Sequence, residues 1–260
     1  MGLPKDLRRL LMMNAVSYII FNYIGIFVNL YIWEQGQKIS DVSWFNFCLF
    51  VSWAFAFGFG TKLLASQSVR QLFGLSALSG GIAFLLLFFL HLDNHLLWIT
   101  LIGIPVGTMW GFFAVAQNFS LSSFGKGREF ANFFSLSNTI AQIINVTVPI
   151  ISAQVIRLFG YSSSFILMLV FVAAMLIVSR ILPKISLKET ADSGTWFENM
   201  KYRNVFVTPA LKWLIPSCLA TGLALQFQGL FALLFTFSIS DDRMIIALLN
   251  ALFTLSALLA

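Results

Sequence analysis

The chain has 260 residues, of which 59% are apolar and only 10% charged, and its mean hydropathy is +0.88. A soluble domain carries about a quarter charged residues, so water is excluded as the main solvent. The net charge of +6 comes from Lys and Arg set in connections between apolar runs, not from a basic face interleaved with aromatics, which argues against a nucleic-acid partner.

In chain order, the basic opening Met1 to Leu10 leads into a long apolar run that no small-residue cleavage site ends, so it reads as a retained first helix rather than a signal peptide. A helix needs roughly 20 apolar residues to cross a hydrocarbon core of about 30 Å. Seven runs meet that length, approximately Leu11 to Trp33, Trp44 to Ala65, Gln71 to Leu92, Leu96 to Leu121, Phe130 to Ile156, Ser163 to Leu182 and Trp213 to Phe237. An eighth starts near Met244 and stops at Ala260, so a chain truncated in helix eight is expected. Cys48 and Cys218 fall inside runs and are expected to be small buried residues, with no disulfide framework or CxxC site.

Basic loop residues stay on the cytoplasmic side of a membrane. An N-terminus in the cytoplasm puts all sixteen Lys and Arg inside except Lys38, Arg157 and Arg243, and the opposite topology inverts this bias. The cell membrane is the expected location. Residues 1–182 then form a first six-helix bundle, 183–212 a polar cytoplasmic linker and 213–260 the start of a second bundle. Within the linker, Trp196, Phe197 and Met200 suit a short amphipathic helix on the inner leaflet.

Apart from Lys62 and Arg180, each within three residues of a run's end, no run carries a formal charge, so neutral polar groups hold the functional information. Asn14, Tyr18, Asn22 and Asn29 follow at spacings of four, four and seven in the first run, which makes one stripe. Ser135, Asn138, Gln142 and Asn145 make another in the fifth. The fourth run adds Trp110, Gln117 and Asn118, the second Asn46 and Trp53, and the seventh Gln226 and Gln228, while the third and sixth are nearly bare. An unpaired amide in hydrocarbon is costly, so the polar helices should face one another or a wet cavity and the bare ones lipid. Interhelical hydrogen bonding without any ligand is the alternative for each amide singly. Trp53 and Trp110 fall near the middle of their runs, away from the interfacial belts that Trp prefers. Tyr18, Asn22, Trp53, Trp110, Gln117, Asn138, Gln142, Asn145 and Gln226 are the candidate substrate-binding residues. Gly103, Gly107 and Gly111 form a small-xxx-small face for close helix packing.

Six helices, a long cytoplasmic linker and a second set resemble the major facilitator superfamily, whose members pair two six-helix bundles around a central cavity. The motifs that carry the resemblance are degenerate. Gly58-Phe59-Gly60-Thr61-Lys62 running on to Val69-Arg70 matches the family's signature between helices two and three without its Asp. Val148-Pro149-Ile150-Ile151-Ser152-Ala153 keeps the Pro but not the glycines of the exporters' fifth-helix motif, and Gln117-Asn118 stands where such proteins often place a basic residue. The resemblance implies an all-α, polytopic transmembrane bundle of major-facilitator type, with the third and sixth helices outermost.

Other chemistry is poorly supported. His91-Leu92-Asp93-Asn94-His95 could be drawn as a zinc site, but polar turn residues at a helix end account for it. Apart from His91 at the very end of the third run, no His or Asp lies within a run, and no GxxxxGK[ST] loop occurs, so neither an enzyme nor a nucleotide-driven pump is expected. No cofactor or metal is expected either. The expected function is secondary transport of a small, organic solute by alternating access, with the bilayer and that solute as partners and a monomer as the working unit. The alternative is a non-transporting membrane receptor or scaffold.

Overall fold

A computed structural model of the chain describes residues 3–89, 94–124, 127–185, 213–240 and 242–259, with the side chains of part of 214–259, Gln226 and Gln228 among them, left aside. Most of the linker, with Trp196, Phe197 and Met200, lies outside these residues, as do His91, Asp93 and Ala260.

The described residues are helical across all seven expected runs and into the eighth. Helix α1 (Lys5–Gly36) is α-helical to Tyr23, widens to a π-helix over Ile24–Val28 and resumes as α-helix at Asn29. It is followed by α2 (Ile39–Leu64), α3 (Val69–Phe89), α4 (His95–Phe124), α5 (Arg128–Ile181), α6 (Leu214–Ile239) and α7 (Arg243–Leu259). At 1.5 Å per residue, the 54 residues of α5 would make a rod of about 80 Å, far more than one crossing needs. Gly160 divides it. Its φ of 79° and ψ of 174° are accessible to a residue without a Cβ, and they break the helix into two limbs, 128–159 and 161–181. Where the sequence suggested a loop of several residues between the fifth and sixth runs, the turn is a single glycine.

Among the described residues, α1 to α5 are long and apolar enough to cross a membrane. Burial is arranged as a bilayer requires. Large side chains such as Phe55, Phe89, Ile104, Val170, Ile177 and Leu252 point outward, while Asn14, Ser17, Asn29, Ser76, Ser137 and Ser164 are buried. So extensive an exposed apolar surface is far beyond what a soluble monomer shows; this is a helical membrane protein. The buried hydroxyls are satisfied inside the bundle: Ser17 donates to the Met13 carbonyl at 2.8 Å and Ser120 to that of Ala116 at 2.7 Å.

Helix direction alternates along the chain. Asn14 meets Ser137 and Asn22 meets Asn145, both at a separation of 123 residues, so α1 and the first limb of α5 run parallel. Cys48, Ser52 and Ala56 meet Gly103, Gly107 and Gly111 in step, so α2 and α4 are parallel as well. In contrast Gly74 approaches Ser179 and Gly80 approaches Val172, which sets α3 antiparallel to the second limb of α5.

The three glycines of α4 let its backbone lie directly against α2. A Cβ on Gly111 would stand 2.6 Å from Ala56 Cβ and 2.8 Å from the Trp53 carbonyl oxygen, and one on Gly107 would overlap the Leu49 carbonyl. An aromatic core around Tyr23, Tyr31, Phe84, Trp98 and Phe165 joins α1, α3, α4 and α5. The α6 helix packs through its last turns, where Leu233, Thr236 and Phe237 are buried and Phe237 lies 6.2 Å from Trp33. Its opening turns are exposed, and Cys218 with them. The expectation that both cysteines are buried therefore holds for Cys48 alone, because no described helix covers α6 at Cys218.

Candidate functional site: a neutral polar cavity

The stripe of α1 faces the first limb of α5 and pairs with it group by group. Asn14 Nδ2 donates to Ser137 Oγ at 3.3 Å, the Tyr18 hydroxyl lies 3.4 Å from the same oxygen, and Asn22 Nδ2 donates to Asn145 Oδ1 at 2.9 Å. About two turns further, the π-helix brings Asn29 round so that its Nδ2 donates to the Gly25 carbonyl at 2.9 Å. Its Oδ1 accepts from Asn46 Nδ2 of α2 at 2.8 Å. A π-segment shifts the phase of every later residue in its helix and often accompanies a functional site. Here it lets a single helix address α5 at Asn22 and α2 at Asn29.

Beside these amides lies a cavity of about 410 Å³. Its polar wall is Asn22, Asn29, Asn46, Asn145, Thr236 and Asn250, with Thr254 beside Asn250, and Gly25, Leu49, Phe50, Trp110 and Phe253 supply apolar surface. Six helices contribute, and no described charged residue lines it. Trp110 stands edge to face against Trp53, with ring centres 5.2 Å apart at 90°, and against Phe21 at 5.5 Å. Two buried atoms on these walls have no hydrogen-bond partner, Asn22 Oδ1 and Trp110 Nε1.

Beyond one end of the cavity lies a charged cluster. Arg243, the first residue of α7, donates through Nε and Nη2 to the two carboxylate oxygens of Glu34 in α1, both at 2.9 Å. The Tyr161 hydroxyl, just past the Gly160 break, donates to Glu34 Oε1 at 3.0 Å, and the guanidinium lies 4.9 Å from the centre of the Tyr161 ring. At the helical rise, Asn29 is about 7 Å below Glu34 and Asn250 about 10 Å below Arg243. On the same side, His95 Nε2 sits 3.2 Å from Asp41 Oδ2, near enough for an ion pair though off the line of a well-directed hydrogen bond.

Of the residues singled out in the sequence, Asn22, Trp110 and Asn145 line the cavity together. Trp53 backs Trp110, and Tyr18 sits one turn below Asn22, on Ser137. The structure does not bring Gln117, Asn138 or Gln142 to the wall: Asn138 is exposed and the other two are half-buried. The Gln226 side chain lies outside the described residues. Thr236, Asn250 and Thr254 are not among the sequence candidates, while Asn29 belongs to the stripe of the first run and Asn46 is a polar residue of the second. Asn250 is the lone amide of the run from Met244 to Ala260, a signal the sequence does carry. Neither α3 nor the second limb of α5 contributes to the wall. Comparison of the sequence with protein-family models and with curated proteins finds no match to either.

Proposed function

We propose that the protein is a secondary transporter of major-facilitator type, which carries a small organic solute across the cell membrane by alternating access through the neutral cavity. The observation that carries the reading is that cavity. Six helices from both ends of the chain line it with polar groups. Groups with no role beyond holding helices together would leave no space between them and no atom unmet; here both are found. The Glu34–Arg243 pair supports alternating access, since it joins the α1 end of the six-helix unit to the helices after the linker, as a closed end requires. On the orientation that the basic bias favours, with the N-terminus in the cytoplasm, this pair lies on the outer side, which fits an inward-facing state. Asn22 and Asn145 would bond the solute, and Trp110 with Trp53 behind it would supply a flat wall.

Uptake and efflux of a compound panel in vesicles carrying the protein test this, with Asn145→Ala and Trp110→Ala as probes. At least one compound should move saturably, and both variants should slow it tenfold or more. If both variants move every compound like the unmodified protein, the cavity is not the route.

A further inference from the structure

The wall of the cavity offers donors and acceptors side by side without a charge, and from this we infer that the solute is a small neutral polyhydroxy compound, a sugar or polyol. The inference rests on the transporter reading and adds the chemistry of the cargo. Asn22 and Asn145 share one hydrogen bond, from Nδ2 to Oδ1, which leaves Asn145 Nδ2 as a spare donor; Asn22 Oδ1 is unpaired too, but protein atoms enclose it. Asn46 gives its Nδ2 to Asn29 and to the Val42 carbonyl, so its Oδ1 also remains an acceptor. Trp110 Nε1 has no partner either, and like Asn22 Oδ1 it is enclosed by protein atoms.

A hydroxyl both donates and accepts through one atom, and neighbouring hydroxyls span the width of a carboxamide, so a polyol can meet this mixture where a single-function ligand cannot. A strongly ionic solute would enter without a described counter-charge. A wholly apolar one would leave the amides unmet. Trp110, Phe50 and Phe253 provide surface for the C–H faces of a ring, and about 410 Å³ lies within the range of small-molecule sites.

The test is binding to the purified protein in lipid nanodiscs, by tryptophan fluorescence and equilibrium dialysis. One arm uses hexoses, pentoses, disaccharides and linear and cyclic polyols; the other uses organic cations, organic anions and uncharged apolar amphiphiles. At least one polyol should bind saturably, with affinity lowered tenfold or more in Asn145→Ala. Gly25→Leu should abolish binding while leaving the amide pairs in place, since a Cβ at Gly25 meets no atom within 4 Å. Binding confined to the second arm and lost in Gly25→Leu overturns the polyol assignment and leaves the transporter standing. Polyol binding unaffected by both variants overturns the site, and saturable binding or transport in neither arm overturns both readings.

Discussion

Breaking the Glu34–Arg243 pair should open the closed end of the cavity. Two unit charges about 4 Å apart attract by about 4 kcal/mol at an effective dielectric of 20. The side chains here are 27% and 35% exposed, so screening and water reduce this; bidentate geometry keeps the pair at about 1–2 kcal/mol, above an ordinary surface pair. A loss of about 1.4 kcal/mol shifts an equilibrium between two states about tenfold. The assay is the rate at which a membrane-impermeant maleimide, added from the Glu34 side, labels Asn250→Cys in a background with Cys48 and Cys218 replaced. Glu34→Gln and Arg243→Gln should each speed labelling roughly tenfold, and the double variant should go no further, because either change alone removes the same pair. Independent, additive effects, or no effect of either change, would refute the assignment of this pair as the closure.

Three further outcomes follow from the packing. Gly107→Ala forces α2 and α4 apart, because its Cβ falls on the Leu49 carbonyl and 2.8 Å from Ser52 Cβ; it should cost about 1–3 kcal/mol, seen as a lower melting temperature in detergent. Gly74→Ala is the matched control: its Cβ meets only Ser179 Oγ at 3.9 Å, so stability should be unchanged or raised by up to about 1 kcal/mol through helix propensity. Gly25→Leu projects into the cavity, and vesicle transport should be lost while the melting temperature stays within a few degrees of the unmodified protein.

The crossings were legible because a bilayer imposes length and apolarity on every span, and those survive in any rotation of the helices. The α1 stripe was legible for a related reason up to the π-segment: spacings of four keep Asn14, Tyr18 and Asn22 on one face. What composition could not show was the phase of α5. Neighbouring residues of a helix point about 100° apart, and that angle separates Ser137, which is buried and takes the bonds from α1, from Asn138, which is exposed. The π-segment was equally hidden, since Ile24–Val28 carries no side chain that announces it, yet it turns Asn29 toward Asn46. Glu34, Tyr161 and Arg243 lie at three distant places in the sequence, so no local spacing links them. Only the assembled helices bring a carboxylate, a phenol and a guanidinium to one point.

The single-residue break at Gly160 has a mechanical consequence. A loop of several residues would act as slack between the fifth and sixth crossings and let one tilt without pulling the other. With one glycine there is no slack: the limb that carries Asn145 ends beside Tyr161, and Tyr161 holds Glu34. A tilt of that limb at the cavity is passed as a lever passes load, through Tyr161 to the carboxylate that Arg243 grips. On the transporter reading, filling the cavity and releasing the far end would be coupled through this short linkage, with the residue lacking a Cβ as its pivot.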